Sequence, residues 1–264
     1  MRLSAYIGGI GVLGPGLQGW PHAAAVLSGL KPYLASPTVL PTPAMLPPAE
    51  RRRTGRVVKL ALAVALEATA SAGADPTLLP SVFSSSGSDG HICHEICQAL
   101  ALSTREVSPT RFSNSVHNVA AGYWSIATGS MTESNVLCAF DASFIAGLLD
   151  ALTQVAVDRQ SVLLVAYDTE YPAPLHAKRP IPDALGVAMV LTPERNAASK
   201  ARIDLTLTDE TCDSMPDLQL EALRRAIPAA RSLPLLRLLA IGAAGRAVLD
   251  YLDVSRAAVQ IEPC

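Results

Sequence analysis

The chain is poor in aromatic and charged residues. Only 5% of its 264 residues are aromatic and 17% are charged, whereas 50% are hydrophobic. This composition excludes an intrinsically disordered chain, and the length is sufficient to bury a sizeable core. Lysine and arginine number 21 against 23 aspartate and glutamate residues, which gives a net charge of -2. The sequence therefore lacks the basic excess that favours a nucleic-acid partner.

Cysteine and long apolar runs are also scarce. The five cysteines are odd in number and have no disulfide-framework spacing, which favours a reduced, cytoplasmic setting. The uncharged stretch between Arg2 and Lys31 contains five glycines and a proline between residues 8 and 16. These residues would break the helix of an export signal. Charges or proline interrupt the later apolar runs, so we predict no membrane span.

The order of apolar patterns predicts an α/β fold. Residues 135–140, 143–156 and 161–167 form a strand, helix and strand pattern with continuous apolar strands, typical of a parallel sheet covered on both faces. Residues 186–192 and 201–208 are closely connected and predict an antiparallel pair. Further predictions are a strand over 3–12 that enters a glycine-rich turn, a proline-rich irregular segment over 32–48, a strand over 81–87, helices over 21–30, 57–74, 90–103, 114–129, 217–227 and 235–251, and a short C-terminal strand.

Three glycines, Gly9, Gly11 and Gly14, match the G-x-G-x-x-G spacing of dinucleotide-binding folds. In those folds the third glycine lies in a helix that begins at once, whereas Pro15 follows Gly14 here. The proline-rich segment also occupies the place of the second strand with its acidic end. We therefore predict that these glycines allow a strand and a helix to pack closely, and we expect no cofactor.

Other clusters of reactive residue types have simpler interpretations. The run His91, Cys93, His94, Glu95 and Cys97 has no second ligand pair elsewhere in the chain, so a helix with buried thiols is favoured over a metal site. Residues 84–86 are three serines without a G-x-S-x-G elbow, which predicts a polar turn after a strand.

The turn between Phe140 and Ser143 is the remaining candidate site. A strand that leads directly into a helix places the turn residue at the helix N-terminus, where the dipole lowers the pKa of a nucleophile and binds an oxyanion. Cysteine or serine would be a nucleophile there, but the residue is Asp141. A carboxylate at this position is also an ordinary N-cap.

At these residues the sequence resembles the β-ketoacyl synthases of the thiolase fold. Those enzymes begin with a strand and a glycine–proline turn, matched by residues 6–16, and continue with an Ala-rich helix preceded by arginines, matched by 51–73. The segment from Ser108 to Gly122 matches the next motif. The nucleophile turn and the strand at 161–167 then follow without a gap. The resemblance covers residues 1–208 and implies a layered α-β-α fold, a truncated form of the thiolase fold.

The resemblance also implies that the chain lacks the catalytic groups of the family. In the gapless register the nucleophilic cysteine is replaced by Asp141, and Ser143 matches the serine two residues on. Cys138 would be the nucleophile only after a three-residue shift, which would place its thiol inside the strand. The two catalytic histidines come from the second half of the family fold, whereas His176 is the one histidine after Asp141 here. Residues 209–264 are expected to form a reduced C-terminal segment packing on the first domain.

This pattern is similar to the chain-length factors that pair with an active ketosynthase in polyketide and aryl-polyene-type systems. The resemblance implies a non-catalytic subunit without cofactor or metal, an obligate heterodimer with a full-length ketosynthase, and an acyl carrier protein reached through the complex. The truncated half would leave an apolar surface to be covered. Alternatives are an independent condensing enzyme or acyltransferase using Cys138, a dinucleotide-binding protein, and a structural homodimer. The residues implied at the acyl tunnel or interface are Thr110, Arg111, Phe112, Asn114, His117, Asn118, Phe140, Asp141 and Ser143, while Tyr123 and Trp124 belong either to this surface or to the core.

Overall fold

One mixed β-sheet organises the chain in the computed structural model, which describes residues 2–264. Its strands are β1 (Leu3–Gly14), β2 (Leu17–Gln18), β3 (Ser81–Ser84), β4 (Ser134–Leu137), β5 (Val162–Asp168), β6 (Leu185–Thr192), β7 (Ala201–Thr208), β8 (Gly245–Asp250) and β9 (Arg256–Pro263). The sheet order is β4-β3-β5-β6-β1-β7-β9-β8, and β2 pairs with the end of β1.

Helices cover both faces of this sheet. They are α1 (Trp20–Leu27), α2 (Pro48–Arg51), α3 (Arg56–Ala72), α4 (Gly90–Ala101), α5 (Pro109–Asn114), α6 (Val119–Thr128), α7 (Ser143–Asp158), α8 (Leu218–Ala226) and α9 (Leu233–Ile241). Single 3-10 turns lie at Pro76–Leu78, Phe140–Ala142, Leu175–Ala177 and Pro228–Ser232. Residues 32–47 contain neither helix nor strand, as their prolines predict.

The strand directions confirm one sequence prediction and correct another. Strands β4, β3 and β5 are parallel, and α7 connects β4 to β5, as the continuous apolar strands predict. The antiparallel pairing of 186–192 with 201–208 is wrong. Both β6 and β7 are antiparallel to β1, which lies between them. The short connection between β6 and β7 therefore crosses β1, which pairs with β6 along one edge and with β7 along the other.

Two hydrophobic cores lie on opposite faces of the sheet. One core packs α3 and α6 against one face, around Phe83, Trp124 and Tyr167. The other packs α1, α7, α9 and the 3-10 turn Pro228–Ser232 against the opposite face. The predicted layered α-β-α arrangement is therefore confirmed. Tyr123 and Trp124 are both buried in the first core, so they pack inside the protein instead of facing a partner.

The C-terminal segment differs from its prediction. The helix predicted over 235–251 ends at Ile241 with Gly242 in the left-handed conformation, and β8 follows. Strand β8 pairs with β9, and β9 pairs with β7, so the segment extends the same sheet. Its turn and α9 cover the face that carries α7. The expected open apolar face is thus covered by this chain's own C-terminal residues.

The helix predicted over 114–129 is two helices. Asn114 ends α5, residues 115–118 form a break, and α6 begins at Val119. The pattern of apolar residues continues through the break, so periodicity alone does not show it.

Helix α7 is a core helix. Within the described residues, the segment Phe140–Asp158 is the one helical stretch long and apolar enough to span a membrane, and half of it is buried. Because α7 packs against β1, β3 and β5, its apolar residues belong to the protein core.

Gly9 and Gly11 lie inside β1. This strand continues to Gly14, two residues beyond the predicted limit at residue 12. A Cβ atom at Gly11 would lie 2.1 Å from the carbonyl oxygen of Val64, and one at Gly9 would lie 2.0 Å from that of Ala68. The backbone of α3 thus occupies the space that a side chain at either position would need. The glycines serve the close approach of helix and strand, as predicted, and the next element in the chain is the short strand β2 instead of a helix.

Replacing Gly11 with alanine tests this packing. We expect Gly11→Ala to lower the free energy of unfolding by about 3 kcal/mol, because backbone must move to admit the methyl group. Gly122→Ala is the matched control, since a Cβ atom there meets nothing within 4 Å and the helix gains about 1 kcal/mol. Chemical denaturation measures both, and a Gly11→Ala protein as stable as the parent would contradict the assignment.

Candidate functional site

The candidate site lies where the three parallel strands end. Ser85 and Ser86 follow β3, residues 138–141 follow β4, and Asp168 is the last residue of β5. The carboxyl ends of neighbouring parallel strands meet at one edge of a sheet, which is where α/β proteins commonly place their sites. The topology thus brings together three segments that are far apart in the chain.

The turn that carries Asp141 has a strained but well-bonded backbone. Phe140 has a φ of 51°, in the left-handed region that residues other than glycine seldom adopt. Ser143 fixes this turn, because its Oγ accepts the N–H of Ala139 at 3.0 Å and donates to the carbonyl of Phe140 at 2.7 Å. Ser143 is buried and therefore a structural residue of the turn.

The carboxylate of Asp141 lies between two arginines. Arg179 donates from Nη2 to Oδ1 at 2.5 Å, and Arg231 donates from Nη2 to Oδ2 at 2.9 Å. The guanidinium of Arg179 also stacks over the ring of Phe140, 3.8 Å from its centroid. The N-cap interpretation is therefore wrong, since the side chain of Asp141 does not cap α7. Both carboxylate oxygens are engaged, and the group is held as a structural anion.

A second carboxylate, Asp168, joins the ends of β3 and β5 to the C-terminal turn at Pro228–Ser232. Its Oδ1 accepts the backbone N–H of Ser86 at 2.8 Å and the hydroxyl of Ser86 at 2.5 Å, and its Oδ2 accepts the N–H of Ala229 at 2.8 Å. Burial raises the pKa of Asp168 to about 6, although the hydrogen bonds from Ser86 and Ala229 favour the charged form. Sequence reasoning missed this residue, and the available signal was an aspartate directly after a continuous apolar strand.

Cys138 lies outside the strand, contrary to the sequence prediction. Strand β4 ends at Leu137 because residues 138 and 139 leave the sheet before the Phe140 turn. The thiol is exposed and its Sγ lies 3.4 Å from the carbonyl oxygen of Ser86. The position of the thiol therefore does not exclude it from chemistry.

His117 lies beside the serine turn. Its Nε2 is 3.4 Å from Oγ of Ser85, which donates to the carbonyl of Gly87 at 2.5 Å. Burial lowers the pKa of His117, which favours a neutral imidazole. The polar turn predicted at 84–86 is present, and its three serines are buried and bonded to neighbouring segments.

The other residues implied at the tunnel or interface fall into two groups. Thr110, Phe112 and Asn118 are exposed, and Arg111 pairs with Glu95 at 2.8 Å. Asn114 is buried instead, donating to the carbonyl of Arg53 at 2.8 Å and accepting from the Tyr123 hydroxyl at 3.3 Å. Asn114 therefore fastens α5 to the core.

The cysteines of α4 are exposed, which corrects the expectation of buried thiols. Cys93 and Cys97 lie one turn apart on the outer face of α4. Nε2 of His91 lies 3.9 Å from Oε1 of Glu170. Among residues 2–264, no three histidine, cysteine, aspartate or glutamate side chains come together as a metal site would need.

Exposed apolar side chains are frequent in the chain between β3 and β4 and in the turn after β4, an edge strand of the sheet. We call this set, together with the outer edge of β4, the edge surface. Phe140 is 60% exposed and Met131 is 95% exposed. Scattered exposed apolar residues are ordinary, but a group along an unpaired strand indicates an interaction surface. Its members are Leu100, Leu102, Phe112, Val116, Ile126, Met131 and Phe140.

Comparison with a family model identifies a long match. The model described as β-ketoacyl synthase, N-terminal domain, matches residues 26–234. A comparison with curated proteins found no significant match.

Solved structures with the same fold include complexes of two ketosynthase systems. The structure of the ketosynthase ApeO in complex with its chain length factor ApeC, from Xenorhabdus doucetiae, contains a chain matching with a TM-score of 0.73 and 23% identity, over 98% of this chain and 99% of that one. A chain of AntDE:AntF, a type II PKS acyl-carrier protein in complex with its ketosynthase, matches with a TM-score of 0.75 and 11% identity over 100% of both. A β-ketoacyl synthase from Burkholderia phymatum STM815 matches with a TM-score of 0.67 and 12% identity over 100% of both. At these identities the likeness shows the fold alone.

The pH dependence of folding tests the environment of Asp168. Its folded-state pKa of about 6 lies above the value of about 3.9 in an unfolded chain. The stability contributed by its protonated form is thus fully present below about pH 4 and is lost as the pH rises through about 6. We expect the gap in unfolding free energy between the parent and Asp168→Asn to shrink by roughly 2 kcal/mol from pH 4 to pH 7.

Asp75 provides a control of opposite sign for this measurement. Hydrogen bonds from Thr77 lower the pKa of Asp75, so any stability that it contributes is lost in acid. The gap between the parent and Asp75→Asn should not shrink as the pH rises. A pH-independent gap for Asp168→Asn, measured by urea denaturation from pH 4 to pH 7, would rule out the buried carboxylate described here.

The two arginines beside Asp141 indicate that removing its charge lowers the stability of the fold. We expect Asp141→Asn to lower the unfolding free energy by about 2 kcal/mol, because two mostly buried guanidinium groups lose their shared counterion. Glu194→Gln is the control, since its pair with Arg159 is exposed and is worth less than about 1 kcal/mol. Equal effects of the two substitutions in thermal or urea denaturation would contradict a structural role of Asp141.

Proposed function

Because the chain belongs to the β-ketoacyl synthase family, matching its N-terminal domain, we propose that it is a non-catalytic subunit of the chain-length-factor type. It pairs with an active β-ketoacyl-carrier-protein synthase and shapes the acyl tunnel in fatty-acid, polyketide or aryl-polyene-type elongation. The observation that carries this proposal is that both oxygens of Asp141, the residue that the resemblance aligns with the nucleophile, are bound by Arg179 and Arg231.

The chemistry of decarboxylative condensation argues against independent catalysis through Asp141. The reaction needs an activated thiol and donors that polarise the malonyl thioester carbonyl. A carboxylate cannot hold an acyl group as a thioester. His176, the one histidine after Asp141, lies exposed in a 3-10 turn at Leu175–Ala177. The chain therefore needs a partner that supplies these groups.

The edge surface supports a partner of similar fold. The outer edge of β4 has unpaired backbone groups, which pair readily with a strand from another chain. Met131 and Phe140, which flank β4 in the chain, are both exposed and supply apolar area next to this strand. The complexes of ApeO with ApeC and of AntDE with AntF, which share the fold, agree with pairing to a ketosynthase.

Two of the residues implied at the acyl tunnel, Phe112 and Phe140, belong to the edge surface. Phe112 and Phe140 are both exposed, and Thr110 and Arg111 lie on the same short helix as Phe112. We propose that these side chains face the partner's tunnel and limit its depth, and that His117 and Asn118 lie at its margin. The acyl carrier protein then reaches this subunit only through the complex, which is cytoplasmic.

Co-expression with a full-length ketosynthase tests the assembly. We expect co-purification as a heterodimer and at least a tenfold weaker association for Met131→Glu, because a charge would be buried at the edge surface. Val157→Glu is the matched control, since Val157 is 72% exposed but lies at the end of α7. A soluble monomer, a homodimer, or equal effects of both variants would contradict the proposal.

Product analysis of the same complex tests the tunnel. Phe112→Ala should give longer acyl products because it removes a side chain from the tunnel end, whereas Val157→Ala should leave the product profile unchanged. An unchanged profile for Phe112→Ala, Arg111→Ala and His117→Ala in an intact complex would contradict the chain-length role.

The exposed thiol of Cys138 favours one alternative, an independent condensing enzyme or acyltransferase. The thiol lies beyond the end of β4, near Ser86, whose neighbour Ser85 contacts His117. Turnover of malonyl-carrier protein by the isolated chain, abolished by Cys138→Ala, would establish this alternative. Activity only in the complex, unchanged by Cys138→Ala, supports the non-catalytic role.

A further inference from the structure

A cavity of about 230 Å³ opens beside Asp141 and has a strongly basic wall. Four cationic side chains line it, together with the single carboxylate of Asp141. We call it the basic cavity. The lining cations are Lys178, Arg179, Arg225 and Arg231.

The charges at the basic cavity do not balance. Asp141 is shared by Arg179 and Arg231, which leaves one positive charge in excess. Arg225 pairs with Glu221 at 2.7 Å. Lys178 is exposed and forms no ion pair among the described residues. Asp168 also interacts with the charge of Arg179, so the cavity carries a net positive charge of about one to two units, in a chain whose total charge is -2.

The arginines also have hydrogen-bond donors that Asp141 does not use. A guanidinium carries five N–H donors in a planar fork. Arg179 and Arg231 each direct one nitrogen to Asp141. Nε of Arg179 is buried and has no hydrogen-bond partner. That atom has almost no accessible surface, so the donors left for a ligand are the other guanidinium N–H groups of the two arginines.

We propose that the basic cavity is a binding site for a phosphate group. A phosphate carries a charge of about -1.5 to -2 at neutral pH, which is sufficient to neutralise the positive excess at the wall. Arginine forks and a lysine ammonium together are a common phosphate-binding set. The cavity has room for roughly seven water-sized groups, which accommodates a phosphate with a few further atoms.

Two sources supply this chemistry, free inorganic phosphate and a phosphate esterified to a small organic group. The site is complete within this chain, so the proposal holds whether or not the chain pairs with a ketosynthase. Phosphate binding is therefore measured on the isolated full chain and is independent of the co-purification experiment.

Calorimetric titration with inorganic phosphate and with glycerol 3-phosphate tests the site. We expect saturable binding of at least one of them, with an affinity that falls as sodium chloride is added. Lys178→Gln should weaken binding about tenfold, since it removes one charge-assisted contact. Lys200→Gln is the matched control, because Lys200 is also exposed but does not line the basic cavity.

The two ligands distinguish the sources. Tighter binding of inorganic phosphate assigns the free ion, and tighter binding of glycerol 3-phosphate assigns an ester, whose organic part occupies the remaining volume. Either result supports the site if Lys178→Gln weakens it and Lys200→Gln does not. Absence of saturable binding by both ligands, or equal effects of the two lysine variants, would overturn the proposal. Unchanged thermal stability of Lys178→Gln would show that the lost binding is not due to unfolding.

Discussion

The buried carboxylate of Asp168 holds together the parts of this protein that the chain order keeps apart. It ends β5, binds both polar groups of Ser86 after β3, and accepts the N–H of Ala229 from the C-terminal turn. A charge in this position is costly to bury, as its raised pKa shows. Its hydrogen bonds specify where the C-terminal turn lies. That turn carries Arg231, so the position of Asp168 determines whether Arg231 can reach Asp141.

At the Phe140 turn, ion pairs that stabilise the fold take the place that the resemblance implies for a nucleophile. In the register that the resemblance implies, a nucleophilic thiol would stand on the Phe140 turn, with free N–H groups and a helix N-terminus behind it. Here a carboxylate stands on the same turn and binds two arginines from separate segments. The strained φ of Phe140 persists. The Phe140 turn thus connects the loop that carries Arg179, the C-terminal turn and the start of α7.

The sequence was sufficient for features that depend on neighbouring residues. Continuous apolar strands predicted the parallel β4-α7-β5 unit, and the glycine spacing predicted that a helix approaches the first strand closely, without identifying α3 as that helix, because both predictions follow from local side-chain pattern. It was not sufficient for pairings between distant segments. Arg179 and Arg231 lie 38 and 90 residues from Asp141, and no periodicity connects them. The prediction of a helix over 235–251 was wrong because the apolar residues of β8 continue the pattern of α9. The pairing of β8 with β9, a later segment, makes these residues a strand.

The length of the chain therefore has a different meaning from the one that the resemblance suggests. A truncated second half would leave the α7 face of the sheet open, and a partner would have to cover it. Instead α9, the turn at 228–232 and the β8–β9 hairpin form a core with α7 on that face. Met131 and Phe140, on either side of β4 in the chain, remain exposed beside a strand whose outer edge is unpaired. In the proposed complex, a partner bound there would extend the sheet sideways. The C-terminal residues thus cover the α7 face themselves, and they also supply Arg225 and Arg231 to the basic cavity.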